Sequence, residues 1–408
     1  MATLFDSTPT SPRPVNQPLI FTLSDTALQA GDRFIVRITI QGQEVYKVYL
    51  QPNQANKAHF DASKVLKDLV SYDFKNHDGD LTPNETDYSQ YGTGAKTFAL
   101  FPGLFNGSTE AFGTSTSLTL VKGAQQAANG LNPSWAAYTL PTAGAVAVKA
   151  WLTDLDVGAN GYVNLDTHKD DLTYHGFLQS GYVTKVRWVT HATAGGPLVS
   201  VTKNIVDSGN GGMGTTTTGY INYVPTSYSA LVKTGVFTTA QLDAAAFVRI
   251  SLLTSASQTI SKVIQSTWDC YLTKGDKVQL AYGNQNGGID YLWFEGRTAQ
   301  EVSTRQKTYM KPMGNWNASV FDFKGYDWQE EVLYREATQT YELFSRHFSD
   351  KQYDMITSAI KSTKTMIRIG DGDWMPVIVE TNSFTYKTGM VGRQEVSFKV
   401  KLAQQVLC

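Results

Sequence analysis

The sequence predicts a mainly β protein with two or more β-sandwich-like domains and a few short helices. Aromatic residues make up 12% of the chain, and they suit the pleated surface of a sheet. The 34 glycines and 13 prolines supply the turns that many short strands need. Several segments alternate apolar and polar residues with a period of two, which is typical of half-buried strands. The length of 408 residues suits about two or three domains.

The N-terminus predicts an extended arm over residues 1–17. Prolines recur among small polar residues there, and only Leu4 and Phe5 are sizeable apolar side chains. We expect this arm to have no core of its own and to dock onto a neighbouring subunit. Leu4, Phe5, Pro12 and Pro14 are therefore candidate assembly residues.

Residues 18–75 predict an N-terminal β domain with one short helix. Alternation over Phe34–Ile40 and Tyr46–Leu50 indicates a hairpin across Gln41–Gln43. Asp61 can cap a helix from Ala62 to about Val70, because a carboxylate accepts from free amides at a helix start.

Residues 76–265 predict a β-rich middle region with long loops. Residues 71–145 are expected to be loop-like, with little core and only short strands at Lys96–Phe101 and Ser117–Val121. Further strands are predicted by apolar runs, and they are Val146–Leu152, Tyr182–His191, Leu198–Val206 and Phe247–Leu253.

A glycine-rich motif lies in this middle region. Gly209–Gly214 matches G-x-G-x-x-G, and a dinucleotide site would need a helix directly afterwards. Thr215–Thr218 follow instead, and four β-branched residues resist helix formation. The interpretation is a flexible loop, in which Gly209, Gly211 and Gly214 are candidate assembly residues.

Residues 266–408 predict a C-terminal β-sandwich with one helix. Lys277–Phe294 indicates a hairpin with a wide turn at Gly283–Gly288. A second hairpin joins Thr365–Ile369 to Met375–Val379, and Glu395–Leu402 closes the chain as a strand.

Two helix starts share one pattern. Thr238 precedes Gln241 by three positions, as Ser349 precedes Gln352, and both pairs fit a capping box. A duplicated domain and independent convergence on good capping both explain this repeat.

No catalytic, cofactor or metal site is predicted, and the protein is not expected to be an enzyme. Cys270 and Cys408 are the only cysteines, and the six histidines lack zinc-site spacing. The loop Asp154–Gly161 lacks the oxygen ligands of a calcium loop, so a turn rich in Asx residues is expected. The carboxylates of Asp170/Asp171 and of Glu330/Glu331 are adjacent and would face opposite sides of a strand, while Asp371/Asp373 lie in a tight turn. None of these paired carboxylates therefore favours joint acid–base chemistry.

The net charge and the N-terminal residues limit the classes of function that suit this protein. A net charge of -1 gives no general support for nucleic-acid binding. The first residues lack the apolar core of a signal peptide, and we expect no membrane span. The composition nevertheless suits a surface protein. A phage particle protein resolves this conflict, because it is assembled in the host cytoplasm and released by lysis.

Segments at both ends resemble a family of virion proteins from tailed phages of Bacteroidetes, including the crAss-like group. The N-terminal segments are Pro18–Ser24, Val45–Asn53 and Phe60–Leu66. The C-terminal segments are Trp268–Cys270, Gly287–Phe294, Met375–Val379 and Phe384–Thr388. Together they mark roughly the first 75 and last 140 residues, and the middle of the chain lies outside the resemblance.

This resemblance implies a β-sandwich subunit of a homo-oligomeric ring in the phage tail or head-tail connector, at the neck or collar. Its partners would be copies of itself and adjacent virion proteins of the tail or portal stack, with no membrane and no sequence-specific nucleic acid. The alternative is a carbohydrate- or receptor-binding tail fibre or adhesin module, in which tryptophans such as Trp293, Trp316, Trp328 and Trp374 stack on sugars. A third hypothesis is that the protein is a polysaccharide depolymerase.

Overall fold

The computed structural model confirms a mainly β protein. Among the described residues, strands make up 54% and helices 8%, with four helices. The described residues are 4–9, 11–26, 28–72, 74, 90–92, 94–123, 151–155, 157–205, 221–269, 277–294, 298–312, 314, 319, 320, 322, 330–348, 350–370, 372–381, 394–403, 406 and 407.

The chain forms two compact units. Unit 1 contains Met1–Leu272 and Ala281–Tyr291, and unit 2 contains Thr273–Leu280 and Leu292–Cys408. The division between units therefore falls near the predicted start of the C-terminal domain, at residue 266. A short hairpin segment, Ala281–Tyr291, belongs to unit 1, which local sequence patterns do not predict.

The first part of unit 1 is built from two sheets around one core. Its elements are β1 (Leu4–Ser7), β2 (Arg13–Pro14), β3 (Ile20–Ser24), β4 (Arg33–Ile40), β5 (Gln43–Leu50), β6 (Lys57–Asp61), α1 (Ser63–Leu66), β8 (Ala95–Phe105), β9 (Glu110–Phe112) and β10 (Thr116–Val121). Strand β7 (Gln90–Gly92) precedes β8 in the chain but pairs in a sheet of the second part. One sheet has the order β1-β3-β6, and the other has the order β2-β10-β8-β4-β5 with β9 beside β8.

The predicted hairpin of β4 and β5 is confirmed. Ile35 lies opposite Tyr49 and Arg37 opposite Lys47, and Gln41 and Gly42 turn the chain with positive φ. The helix predicted over Ala62–Val70 is much shorter in the structure, where α1 covers only Ser63–Leu66. Ala62 occupies the cap position, while the Asp61 carboxylate accepts from the backbone N–H groups of Leu19 and Ser63 at 3.0 Å each. Asp61 thus ties the helix start to a neighbouring segment.

The expectation of little core within residues 71–145 is wrong for β8 and β10. Phe98, Leu100, Leu118 and Leu120 are buried in the same apolar cluster as Phe34. Both strands pair within the sheet of β4 and β5, so a boundary at residue 75 would cut through one sheet. Sequence patterns missed this because strand pairing distant in sequence leaves no local signal.

The second part of unit 1 has its own core. Its elements are β11 (Val163–His168), β12 (Tyr174–Leu178), β13 (Lys185–His191), β14 (Pro197–Asn204), β15 (Ile221–Pro225), α2 (Tyr228–Lys233), α3 (Thr239–Asp243), β16 (Phe247–Leu253) and β17 (Ile264–Asp269). A five-stranded sheet has the order β11-β17-β16-β13-β14, and β12, β15 and β7 form a three-stranded sheet. The core gathers Trp151, Phe177 and Trp188 with α2 and α3.

Three strands and one capping box predicted in this region are confirmed. Strand β16 has the predicted bounds, β13 lies within the predicted Tyr182–His191, and β14 begins one residue before the predicted Leu198–Val206. The capping box of α3 is present. The Gln241 backbone N–H donates to the Thr238 hydroxyl oxygen, and the Thr238 backbone N–H donates to the Gln241 side-chain oxygen. Ser349, the cap of the matching pattern, lies outside the described residues, as does most of Val146–Leu152.

The remaining elements run to the C-terminus. They are β18 (Val278–Gly283), β19 (Ile289–Phe294), β20 (Ala299–Met310), β21 (Glu330–Phe348), α4 (Asp350–Lys361), β22 (Thr365–Ile369), β23 (Met375–Val379), β24 (Gln394–Leu402) and β25 (Val406–Leu407). Their sheet has the order β19-β18-β22-β23-β24-β21-β20, with β25 beside β21. The predicted hairpins of β18 with β19 and β22 with β23, the helix α4 and the closing strand β24 are all present.

Strand β18 differs from the prediction in one respect. Its alternating pattern suggests one buried face, yet all six residues from Val278 to Gly283 are buried. Asp290 on β19 is also fully buried, and it is a polar residue. A polar group in such a position needs hydrogen-bond partners, and the partners of Asp290 form the first candidate site.

Candidate functional site

A buried polar cluster in unit 1 surrounds Asp290 on β19. The backbone reaches this position through the tight turn at Asn284–Gly288, where Gly288 allows very close contact with Leu152. A Cβ atom on Gly288 would overlap the Leu152 carbonyl oxygen. The turn therefore brings Asp290 directly against residues 152–154.

The Asp290 carboxyl group accepts three hydrogen bonds. The Thr153 hydroxyl donates to Oδ1 at 2.6 Å, and the Asp154 backbone N–H donates to Oδ2 at 2.7 Å. The Asn284 side-chain amide donates to Oδ2 at 2.9 Å and also to the Leu152 carbonyl. Every partner comes from the turn or from the segment 152–154, so the carboxyl group joins two distant parts of the chain.

Asn286 and Tyr72 complete these links. The Asn286 amide donates to the Thr153 carbonyl at 2.9 Å and to Asp154 Oδ1 at 2.8 Å. The Tyr72 hydroxyl donates to the Asn284 carbonyl at 2.7 Å. Three segments more than 60 residues apart in sequence are thereby fastened at one point.

The titration of Asp290 and His175 is strongly shifted in this cluster. Burial raises the pKa of Asp290 to about 7, and the nearby Asp154 charge adds to that rise. Burial lowers the pKa of His175 to about 3. His175 Nε2 lies 3.7 Å from Asp290 Oδ1, and its Nδ1 lies 2.8 Å from the Thr226 hydroxyl. Both groups are therefore electrically neutral at mildly acidic pH.

An acid and an imidazole at close range can serve proton transfer, but only if a substrate reaches them. Both side chains are almost completely shielded from solvent. The described geometry instead suits a clamp that holds the turn against residues 152–154. The prediction of an Asx-rich turn downstream is confirmed, since Asn160 Oδ1 accepts from the Tyr162 N–H at 3.1 Å.

The second candidate site is a long exposed hairpin in unit 2, formed by β20 and β21 and called the ribbon below. The two strands pair antiparallel from Ala299–Glu342 to Met310–Glu330, with one irregularity near Lys307. Eleven of the 12 residues of β20 are exposed, and the twelfth is half-buried. Strand β20 of the ribbon thus presents both of its faces to solvent.

The ribbon carries apolar side chains that the fold leaves uncovered. Val302 is 59% exposed and Met310 is 75% exposed, and Val332 lies on the same face by register. The opposite face is charged, with Glu301 and Arg305 on β20. Sequence reasoning missed the ribbon, although the alternation of Val302, Thr304 and Thr308 is a weak strand signal.

The predicted assembly residues of the arm pack on this chain's own sheets. Leu4 and Phe5 lie in β1, which pairs with β3, and the Phe5 and Phe21 ring centroids are 5.1 Å apart. Pro14 lies in β2, which pairs with β10, and Pro12 is buried just before it. The expected projecting arm without a core is thus corrected, because Val15 is fully buried in the first core of unit 1.

Other predicted features fall outside the site or outside the description. Gly209, Gly211 and Gly214 lie outside the described residues. Among the described tryptophans, Trp151, Trp188 and Trp374 are buried, while Trp268 and Trp293 are half-buried. Trp316 and Trp328 are not within the described ranges. No described tryptophan is therefore fully exposed.

The described residues lack two further features, a metal-binding cluster and a membrane-spanning helix. No group of three or more potential metal ligands is found in them, and none of their helices has the length and apolar character of a membrane span. The sequence matches no family model and no curated protein.

Proposed function

We propose that this protein is a non-enzymatic structural subunit of a phage virion, which assembles with copies of itself into a ring of the tail or head-tail connector. The ribbon is the observation that carries the assembly part of this proposal. The resemblance of the two chain ends supports the virion part.

The ribbon would gain stability from a partner. A two-stranded hairpin in water is at best marginally stable on its own. Beyond Glu336 and Ala337, where β25 pairs with β21, the described ribbon consists of two strands only. Burial of its apolar face by a partner would supply the stabilisation that the isolated hairpin lacks.

The edge of the ribbon supplies a second argument. Strand β20 is the last strand of its sheet, and an exposed edge strand is a template for pairing with another chain. Many proteins protect such edges with prolines or short strands, and β20 has 12 residues without proline. The length and exposure of this edge favour a role in assembly.

The polar clamp at Asp290 fits the same function. A subunit that works by shape needs surfaces held in fixed positions, and the clamp joins distant segments through buried hydrogen bonds. The assignment of a mechanical role to the clamp follows from its inaccessibility to solvent.

Electron microscopy of the full-length protein tests the proposal. We expect negatively stained particles of the purified protein to be closed rings, and gold-labelled antibody against the protein to bind at the tail or neck of purified virions. A protein that is absent from virions, or that is monomeric at all concentrations, would refute the proposal.

The alternative of a carbohydrate-binding module needs exposed aromatic rings. Tyr49, Tyr182, Tyr309 and Tyr334 are exposed rings among the described residues. Saturable binding of host polysaccharide by monomeric protein would favour this alternative over the structural role. Release of reducing ends from that polysaccharide would favour a depolymerase.

A further inference from the structure

We propose that β20 pairs antiparallel with β20 of a second copy of this chain, across a two-fold axis that passes beside Ser303. The sheet of unit 2 would then continue through both molecules. This contact goes beyond the proposed function, because it specifies a residue register and a symmetry and does not depend on a virion.

One side of β20 is open for pairing with another strand. Within the described residues, β21 is the strand that pairs with β20, and it occupies one side only. The N–H and C=O groups on the other side form the row that an added strand can use. The exposed side chains of β20 leave room for that strand.

The second step is the register. When Ser303 lies opposite Ser303 of the second copy, Glu301 lies opposite Arg305 of the second copy. Opposite positions in an antiparallel pair share one face and lie within contact distance. By symmetry the Glu301–Arg305 pair occurs twice. Val302 then lies opposite Thr304, and Lys307 lies opposite Ala299, so no like charges face each other.

The third step is the charge on the neighbouring strands. Arg305 lies opposite Glu336 on β21, and Glu301 Oε2 lies 3.6 Å from Lys399 Nζ of β24. In the paired dimer, Glu336 lies opposite Arg305, Arg305 lies opposite Glu301 of the second copy, and that Glu301 lies beside Lys399 of its own chain. The charges alternate in sign through these four residues, and this complementarity identifies a second copy as the occupant.

Other registers fit less well. A two-fold axis beside Arg305 would place that residue opposite itself, and an axis beside Gln306 would place Arg305 opposite Lys307. Like charges directly opposite each other destabilise a sheet. An axis beside Thr304 would pair Glu301 with Lys307, which lacks the planar donor fork of arginine. The register centred on Ser303 therefore gives the best match.

The contact also has a consequence for assembly. A two-fold contact through the edge of β20 is isologous and cannot by itself generate a ring, so the proposed ring would form through a separate contact on the apolar face of the ribbon. If the chain also forms a ring, the two contacts together give two rings face to face. A dimer can form through β20 even if no ring exists.

Sedimentation of the full-length protein at low salt tests the proposal. We expect a concentration-dependent dimer, and we expect Arg305→Glu or Glu301→Arg to raise the dimer dissociation constant at least about tenfold. The double variant carrying both changes should return within about threefold of wild type, since it restores both pairs in reversed orientation. Thermal melting confirms that each variant is folded.

Arg335→Glu is the matched control. Arg335 lies on β21, one strand away from the free edge, and contacts Gln306 through its side chain at 3.1 Å. The same charge reversal there should change the dimer dissociation constant by less than about threefold. Absence of a dimer, or failure of the double variant to restore it, would overturn the proposal. An effect of Lys307→Glu that equals that of Arg305→Glu would overturn the register.

Cross-linking gives a second readout. Under mild oxidation Ser303→Cys should form a covalent dimer, because paired positions on adjacent strands lie within disulfide range. Gln306→Cys should not, since Gln306 lies opposite Gln300. The wild-type protein shows how much cross-linking arises from the native Cys270 and Cys408. Equal cross-linking of both variants would contradict the two-fold axis at Ser303.

Discussion

Asp290 and His175 form a buried pair, with Oδ1 and Nε2 separated by 3.7 Å. In the unfolded chain at about pH 5, the imidazole carries the proton and the carboxyl group is ionised. In the folded chain the pKa of Asp290 is about 7 and that of His175 is about 3, so the carboxyl group carries the proton. Folding thus moves one proton from one residue to the other without changing their total.

The pair predicts a distinctive dependence of stability on pH. Stability changes with pH only where the folded and unfolded states bind different numbers of protons. Between about pH 4 and 6.5 the pair binds one proton in both states, so its net contribution is constant. Removal of either residue should make the number of bound protons differ between the folded and unfolded states.

Asp290→Asn leaves His175 as the titrating partner. Its pKa is lowered on folding, so its contribution is complete above about pH 6.5 and is lost as the pH falls towards 3. The variant's free energy of unfolding, relative to wild type, should rise by about 1.4 kcal/mol per pH unit from pH 4 to 6.5. Urea titrations at several pH values measure this slope.

His175→Gln provides the mirror experiment. The pKa of Asp290 is raised on folding, so its contribution is complete below about pH 4 and is lost as the pH rises through 7. The slope relative to wild type should therefore be negative, with a similar magnitude. Two flat difference profiles would contradict the proton exchange between these residues.

Gly288→Ala should strongly destabilise the protein. The added Cβ atom would overlap the Leu152 carbonyl oxygen, so the turn and the segment 152–154 would have to separate and strain the Asp290 clamp. We expect a loss of about 3 kcal/mol in urea denaturation. Gly181→Ala is the control, because a Cβ atom there meets no atom within 4 Å. Equal stability of the two variants would argue against close packing at the turn.

Val15→Ala should destabilise the fold, whereas Leu4→Ala should not. Val15 is fully buried among the core residues of the first two sheets, while Leu4 is 56% exposed. Thermal and chemical denaturation should show a loss of about 2 kcal/mol for Val15→Ala and less than about 0.5 kcal/mol for Leu4→Ala. An unchanged stability after Val15→Ala would restore the idea of a free arm.

Met310→Lys should weaken assembly without lowering the melting temperature. Met310 lies on the apolar face of the ribbon and is 75% exposed, so its loss costs little in the monomer. Burial of a charge against an apolar partner surface would be unfavourable. The fraction of protein in large particles, measured by mass photometry, should fall severalfold. Tyr182→Lys in unit 1 is the matched control, since Tyr182 is also exposed.

A large part of the fold could be predicted from local patterns. The β4–β5 hairpin follows from alternation around Gln41 and Gly42, and the α3 capping box follows from Thr238 and Gln241. Within each of these segments, the residues that decide the structure lie within a few positions of one another. The candidate sites could not be predicted in this way. Asp290 is a carboxyl group in an otherwise apolar strand, but two of its three donors, Thr153 and Asp154, lie 137 and 136 residues away in sequence.

The sequence by itself determined which segments are strands and where the chain turns, because backbone preference and side-chain alternation are local properties. Only the tertiary structure decided that Pro14 and Val15 belong to a core, that β18 is buried on both faces, and that β20 is left at an edge. Burial depends on what packs against a strand, and that partner comes from distant parts of the chain. A pattern of period two can therefore predict a strand without revealing whether its second face meets protein or water.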